Sequence, residues 1–258
     1  FVVDGLGMAV TLVALLSGIF SVLAAPEQAD DSPLASGEYH GLLLLALAGM
    51  IYLGMAHDLV TLVVSLEVTV LSSLVLAGAE RDREASSEAA LKYLVLSAFS
   101  AAFLLFGMAF FFGATGRLGL EPVQLPAGDR RAWLALAGLA LILAGAFFKV
   151  GAVPFHFWVP DVYQGAPTPV SVLLSVGAKA AAFAVVARIL LLGFLVAPAG
   201  LTSAAREAHL NGVAFYLLAY GVATAGAFAV TGLARADGRP LEEIQDYAGL
   251  ARERPGLA

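Results

Sequence analysis

Residues 149–179 read KVGAVPFHFWVPDVYQGAPTPVSVLLSVGAK, and this stretch decides the fold because it sets two lysines, Lys149 and Lys179, in apolar helical sequence. A proline-rich polar segment separates the two lysines. An ionisable side chain in hydrocarbon costs roughly 2.5 to 3.5 kcal/mol, so such a residue indicates a functional site by default. Glu67, in another apolar stretch upstream, is a third residue of this kind.

The composition of the chain makes hydrocarbon the relevant environment. Of the 258 residues, 60% are hydrophobic and 13% are charged, against about 45–50% and about 25% in soluble proteins. The sequence therefore predicts an all-α, polytopic membrane helix bundle. The absence of cysteine excludes iron–sulfur clusters and thiolate metal sites, and with only four histidines we expect no metal and no cofactor on this chain. The net charge of −6 comes without a basic run, which argues against nucleic acid as a partner.

Seven apolar stretches approach the roughly 20 residues that a spanning helix needs. Residues 41–79 hold 39 nearly unbroken apolar positions, and a single helix of that length would run about 58 Å across a hydrocarbon core of about 30 Å. These positions therefore predict two helices with a turn at His57 and Asp58. The predicted spans, in one transmembrane domain, are residues 5–25, 41–57, 59–79, 90–113, 132–152, 170–196 and 211–234.

The charged side chains in these spans differ in depth. Glu67 lies about 13 Å into its helix and Lys179 about 15 Å into its own, which puts both near the bilayer midplane. For Glu67 the alternatives are a functional acid and a protonated acid in an interhelical hydrogen bond. For Lys179 they are a proton carrier and a structural partner of an acid. Lys92 and Arg188 fall near helix ends, where a long side chain can snorkel to the interface.

Residues 154–168 are compatible with two structures. A straight helix over 132–165 would be about 50 Å long, too long for one span, and Pro154 interrupts it. The segment either lies on the membrane surface as an amphipathic linker, or the helix breaks inside the membrane and resumes as a half-helix beside a polar cavity. In the first structure Lys149 snorkels to the interface, and in the second it lies in the interior.

The segment KVGAVPFHFWVPDVYQGAPTPVSVLLSVGAKAAAFAVVARIL closely resembles the signature region of the N-type antiporter-like subunits of respiratory complex I, the proton-pumping NADH:quinone oxidoreductase. EAALKYLVLSAFSAAFLLFG, FYLLAYGVATAGAFAV and the Glu67 helix ending in LAGA are similar to the same family. PDVYQGAPTPV and a lysine at position 179 favour the N-type over its L-type and M-type relatives.

This resemblance implies a discontinuous helix around Pro154, with its half-helix in residues 154–166. It implies a proton relay in which Glu67 modulates Lys149 and Lys179 is the connecting lysine of the next helix. Desolvation disfavours the charged form of a buried lysine and a nearby carboxylate favours it, so a change at the carboxylate can drive proton release or capture without redox chemistry. Possible secondary steps along an ordered-water path are His156, Asp161, Tyr163 and Ser175.

The resemblance also implies the surroundings of the chain. NADH, FMN, iron–sulfur clusters and quinone are expected in partner subunits, with an M-type antiporter-like subunit and a small K-type subunit as neighbours. A multi-pass position in the bilayer of a bacterial inner membrane is expected. The family has more spanning helices than the seven predicted here, so further segments are expected before residue 1, near 198–211 and after residue 258.

Two other hypotheses stay open at this point. Subunits of Mrp-type cation/proton antiporters and of membrane-bound hydrogenases share this fold family, and Na⁺-dependent transport would identify the former. The chain could also be a structural membrane spacer without translocation. Three ionisable residues inside apolar helices argue against a spacer, because each is costly to keep there.

Overall fold

The computed structural model describes residues 1–25, 37–121 and 130–190, together with positions 212, 213, 215, 216, 218–221, 224, 235, 236, 239 and 240. In these parts the helices are α1 (Gly5–Ala24), α2 (Gly37–Gly54), α3 (Leu59–Ala77), α4 (Glu84–Thr115), α5 (Arg130–Val150), α6 (Trp158–Gly165), α7 (Thr168–Val172) and α8 (Lys179–Arg188). A π-helical segment, Leu173–Ala178, joins α7 to α8. Two short strands, β1 (Arg235–Ala236) and β2 (Arg239–Pro240), pair antiparallel.

Six helices of the described residues are long and apolar enough to cross a membrane: α1 to α5, and the continuous helix Thr168–Arg188. The prediction of a polytopic helix bundle is confirmed. The predicted turn at His57 and Asp58 does separate α2 from α3. The seventh predicted span, residues 211–234, lies mostly outside the described residues, as do residues 191–196 and the predicted gap near 198–211.

The start of α4 differs from the prediction. The sequence predicts that this span begins at residue 90, yet α4 begins at Glu84 and has 32 residues, a length of about 48 Å. A helix can continue beyond the hydrocarbon wherever its first turn finds polar partners. Here the Ser86 hydroxyl donates a hydrogen bond of 2.7 Å to the Ala77 carbonyl, which ties the first turn of α4 to the end of α3.

Two aspartates begin helices in the described chain. Asp58 accepts a 2.7 Å hydrogen bond from the Thr61 N–H at the start of α3, and Asp4 accepts one of 2.8 Å from the Gly7 N–H at the start of α1. A side-chain oxygen at this position satisfies one of the N–H groups that the first turn leaves without a partner.

Glycines bring α4 and α5 into close antiparallel contact. A Cβ at Gly107 would lie 2.6 Å from the Gly138 carbonyl oxygen, and one at Gly138 would lie 2.7 Å from the Gly107 oxygen. The Ser100 hydroxyl donates to the Gly145 carbonyl at 3.0 Å across the same interface. Small residues allow such approaches between membrane helices. This register places the C-terminal end of α5, with Lys149, beside the N-terminal half of α4.

The helix Thr168–Arg188 lies at the centre of the bundle. In its apolar window 78% of the residues are buried, whereas the figure for α4 is 28%. Its π-helical segment packs on α1 and α2 at Gly177, where a Cβ would lie 2.5 Å from Ser17 Oγ and 2.9 Å from Met50 Sδ. The segment that carries Lys179 is therefore the most enclosed part of the described fold.

Candidate functional site: a broken helix between two lysines

The helix that carries Lys149 is broken, as predicted, but the break begins before Pro154. α5 ends at Val150, and Gly151 follows with a φ of 75°. This left-handed conformation favours glycine because a Cβ would be strained there. The Gly151 N–H still bonds back to the carbonyls of Phe147 and Phe148 at 3.0 Å. Residues 151–157 form turns without regular helix, and helix resumes at Trp158 as α6.

Lys149 lies in the last turn of α5 and is only 9% exposed. It lines a cavity of about 30 Å³ between α3, α4, α6 and the central helix. Its Nζ has no hydrogen-bond partner among the residues that the structure describes. This burial argues against the interpretation in which Lys149 snorkels to a surface. The other residues that line the cavity are Leu53, Leu66, Thr69, Val70, Tyr93, Trp158, Leu174, Ala178 and Ala182.

Trp158, the first residue of α6, lines this cavity and packs on two neighbouring helices. Its ring stacks on Tyr93 of α4, with centroids 5.2 Å apart and 17° between the planes, and on Phe148 of α5 at 5.9 Å and 16°. Its indole N–H donates to the Phe148 carbonyl at 3.0 Å. Aromatic stacking and a satisfied N–H fix such a ring in one position. Trp158 therefore holds the half-helix against both α4 and the end of α5.

Glu67 lies on α3, whose residues Leu66, Thr69 and Val70 line the same cavity as Lys149. It is close enough to interact electrostatically with Lys149 and with Tyr93. Glu67 is half-buried, and its Oε1 is buried with no hydrogen-bond partner in the described parts of the chain. The acid and the lysine that the resemblance implies as a pair are thus within electrostatic range of each other. Each has a buried polar atom that water could satisfy.

Lys179 sits at the other side of the helix break. It is the first residue of α8, directly after the π-helical segment. Its Nζ lies 5.6 Å from the centroid of the Tyr163 ring, and a Cβ on Gly151 would be 3.5 Å from the same nitrogen. The turn at Gly151 therefore lies near both lysines, since it follows Lys149 by two residues and packs close to the amino group of Lys179. π-Helical turns inside α-helices are frequent at functional sites.

The four predicted secondary residues separate into two pairs. Tyr163 contacts Lys179, and Ser175 is buried in the π-helical segment, where its hydroxyl donates to the Val172 carbonyl at 3.2 Å. His156 is exposed in the turn, and Asp161 is exposed on α6. Neither of the exposed two lines the cavity at Lys149.

Asp161 is bound to Lys92, which was expected to snorkel. The Lys92 ammonium lies 2.7 Å from the Asp161 carboxylate and 2.7 Å from that of Glu88. The half-helix folds back beside α4 and so supplies an acid that the linear sequence does not place near Lys92. These side chains are 40% to 59% exposed, so we assign the ion pairs to the attachment of α6 and not to the buried site.

Arg188 also differs from the prediction, because it is buried and does not snorkel. Its side chain is 1% exposed, and its guanidinium forms two hydrogen bonds with the Asp4 carboxylate, at 2.7 and 2.9 Å. It donates two more to the Gly54 carbonyl, at 2.9 and 2.7 Å. The physical reason is that the end of α8 meets the start of α1 and the end of α2. Arg188 therefore joins three helices.

Tyr93, Thr69 and Trp158 complete the buried site and were not predicted. For Trp158 the sequence did carry a signal, because it lies in the aromatic run directly after the break. Over the residues that the structure describes, no three His, Cys, Asp or Glu side chains cluster in a way that could hold a metal ion.

Comparison with known proteins relates this geometry to characterised relatives. The subunit N of the NADH-quinone oxidoreductase of Trichlorobacter lovleyi is 33% identical, over 100% of this chain and 62% of the relative. The corresponding subunit N of Alkalilimnicola ehrlichii is 35% identical, again over 100% of this chain and 62% of the relative. The chain thus spans less than two thirds of the length of these curated relatives.

Solved structures give the same relationship. A chain of respiratory complex I from Thermus thermophilus is 35% identical, with a TM-score of 0.76 over 99% of this chain and 63% of that chain. A chain of the archaeal membrane-bound sulfane sulfur reductase has a TM-score of 0.67 at 23% identity, over 89% of this chain and 55% of its own. A chain of the Mrp complex from Dietzia sp. DQ12-45-1b has a TM-score of 0.66 at 21% sequence identity, over 87% of this chain and 50% of that chain. At these identities the last two show the fold alone.

The family model described as "NADH:quinone oxidoreductase/Mrp antiporter, TM" matches residues 56–200, which include α3, the broken helix and both lysines. Because that match covers more than half of the 258 residues, the chain belongs to the NADH:quinone oxidoreductase/Mrp antiporter transmembrane family.

Proposed function

We propose that this chain is a proton-translocating membrane subunit of NADH:quinone oxidoreductase, of the N type. The observation that carries the proposal is the pair formed by Glu67 and Lys149. Each has a buried polar atom without a hydrogen-bond partner among the described residues, and the two interact electrostatically. A buried lysine without a bonded partner is costly unless its charge state can change. The identity of 33% and 35% to subunits N supports the N-type assignment.

The proton step follows from the balance of two effects on Lys149. Burial disfavours the ammonium, and an ionised Glu67 favours it. When the Glu67 carboxylate is protonated or moves away, Lys149 releases its proton to water in the adjoining cavity. Lys179, whose amino group lies against the turn at Gly151, is the next carrier. The secondary positions that fit this path are Tyr163 and Ser175.

The driving reaction takes place on other subunits in this proposal. NADH, FMN, iron–sulfur clusters and quinone would bind there, and quinone reduction would drive the change at Glu67. Neighbours of the M type and the small K type would surround the chain in a bacterial inner membrane. A subunit of a Mrp-type antiporter is the second candidate, because the matching family includes it. Na⁺-dependent transport by the assembled complex would favour that candidate.

Glu67→Gln is expected to lower proton translocation by about tenfold or more while the complex still assembles. Glutamine has nearly the same shape as glutamate but cannot ionise, so residue 67 no longer tunes the charge state of Lys149. Impaired proton transfer typically lowers the rate of the affected step by a factor of about 10² to 10⁴. The measurement is protons translocated per electron by the assembled complex in proteoliposomes. Glu84→Gln is the matched control, because Glu84 is exposed in the first turn of α4. Normal translocation by Glu67→Gln would exclude the proposed relay.

A further inference from the structure

The cavity beside Lys149 is lined by two polar residues that the relay does not use, Thr69 of α3 and Tyr93 of α4. Both are almost completely buried, at 4% and 3% exposure. A cavity holds a water molecule when it offers at least about 10–15 Å³ and two to four polar partners. The cavity here has about 30 Å³, and Lys149, Thr69 and Tyr93 supply three polar groups. The space is therefore suited to ordered water.

The ring of Tyr93 is held in place at the wall of the cavity that Lys149 also lines. Its ring stacks on Trp158 at 5.2 Å, and Trp158 is bonded to the Phe148 carbonyl, one residue before Lys149. Tyr93 also lies in electrostatic range of Glu67. A tyrosine hydroxyl donates one hydrogen bond and accepts others. It can therefore accept a hydrogen bond from water in the cavity.

Thr69 is held in an orientation that leaves its oxygen free to accept. Its hydroxyl donates to the Ser65 carbonyl at 2.9 Å, and α2 approaches it so closely that a Cβ on Gly49 would lie 2.5 Å from Thr69 Oγ1. A lysine ammonium has three donors and no acceptor. A water that accepts from Lys149 therefore needs acceptors for its own protons, and Thr69 and Tyr93 offer two oxygens at the cavity wall.

We propose that Tyr93 and Thr69 hold water against Lys149, in the position where it accepts the proton that Lys149 releases. Tyr93 and Thr69 are then positioning residues for the release of the Lys149 proton to this water. This inference rests on the proposed function, because it assumes that Lys149 releases a proton to water in this cavity. The inference adds Tyr93 to the residues that the proposed relay requires, although a tyrosine hydroxyl does not ionise near neutral pH.

The test uses the full-length chain in its assembled complex. Tyr93→Phe removes the hydroxyl and keeps the ring that stacks on Trp158, and Thr69→Val removes the hydroxyl and keeps the shape. Both are expected to lower protons translocated per electron about tenfold at neutral pH and to shift the pH at which translocation is half-maximal. A residue that only packs would not move that pH profile.

Two matched controls separate this role from general packing. Tyr39→Phe removes the hydroxyl of another tyrosine that is 3% exposed, here bonded to Ser21. Thr11→Val breaks a hydrogen bond to the fourth preceding carbonyl, at 2.8 Å, as Thr69→Val does. Neither residue lines the cavity, so both variants are expected to translocate protons normally.

The outcomes distinguish this inference from the proposed function. If Glu67→Gln fails to translocate while Tyr93→Phe and Thr69→Val work with an unchanged pH profile, the role of Tyr93 is refuted and the relay stands. If Glu67→Gln itself works normally, the proposed function fails first. Equal losses in Tyr93→Phe and Tyr39→Phe would also overturn the inference. Should Tyr93→Phe not assemble, the result for Thr69→Val decides alone.

Discussion

Arg188→Leu is expected to prevent stable assembly of the chain, with a loss of about 3–5 kcal/mol in the free energy of unfolding. The guanidinium is 1% exposed and is bonded to both the Asp4 carboxylate and the Gly54 carbonyl. Removing it leaves a charge and a carbonyl without their partner at the junction of three helices. The measurement is the amount of chain in the assembled complex, with the temperature at which the complex dissociates.

Two variants of Asp4 distinguish the contribution of the ion pair to stability from the contribution of the helix cap. Asp4→Asn keeps an oxygen that can accept from the Gly7 N–H but removes the charge that faces Arg188. Asp4→Ala removes both and is expected to cost about 1 kcal/mol more. Arg117→Leu is the control, because Arg117 is exposed after the end of α4. An Arg188→Leu complex that assembles and dissociates as the unchanged complex does would show that this junction is not structural.

The spans could be predicted because a bilayer restricts the length of an apolar helix. α1 and α3 differ from the predicted bounds by at most two residues, since nearly every position within them is apolar. The polar first turns of α4 could not be predicted in the same way, because the hydrocarbon thickness says nothing about helix that continues into water. The break in α5 was expected at Pro154 and begins at Gly151, whose left-handed conformation is not visible in composition.

The ionisable members of the site were predictable for the same reason. Glu67, Lys149 and Lys179 stand out because a charge in an apolar helix is costly. Tyr93 and Thr69 give no such signal, since both are common in helices that face a protein interior. Their role depends on which helices meet around the cavity. That information lies in the packing of α3, α4 and α6, which the periodicity of each helix alone does not determine.

Arg188 is a second residue whose environment depends on tertiary contacts that the sequence does not reveal. Near the end of an apolar helix, an arginine without a visible partner is expected to reach the interface. Its partner, Asp4, is 184 residues earlier in the chain, so only the tertiary fold brings them together. The partner of Lys92 was likewise not predicted, because Asp161 lies 69 residues later on the half-helix.

Lys179→Arg is expected to lower protons translocated per electron about tenfold or more, while the complex still assembles and the driving reaction continues. Arginine keeps the positive charge but does not release its proton in proteins. A relay that must deprotonate at position 179 therefore stops there, with a loss in the range of about 10² to 10⁴ for the affected step. The measurement is proton uptake in proteoliposomes, recorded together with the rate of the driving reaction.

The Lys179→Ala variant distinguishes two roles of Lys179, that of a proton carrier and that of a structural cation. In the described part of the chain no carboxylate forms a salt bridge with Lys179, and its amino group contacts the Tyr163 ring and the turn at Gly151. Removing it therefore strands no buried acid there, so assembly should survive while translocation falls as in Lys179→Arg. Normal pumping by Lys179→Arg would make Lys179 a fixed counter-charge. Failure of Lys179→Ala to assemble would make it the structural partner of an acid, and the path from Lys149 would have to leave the cavity by another residue.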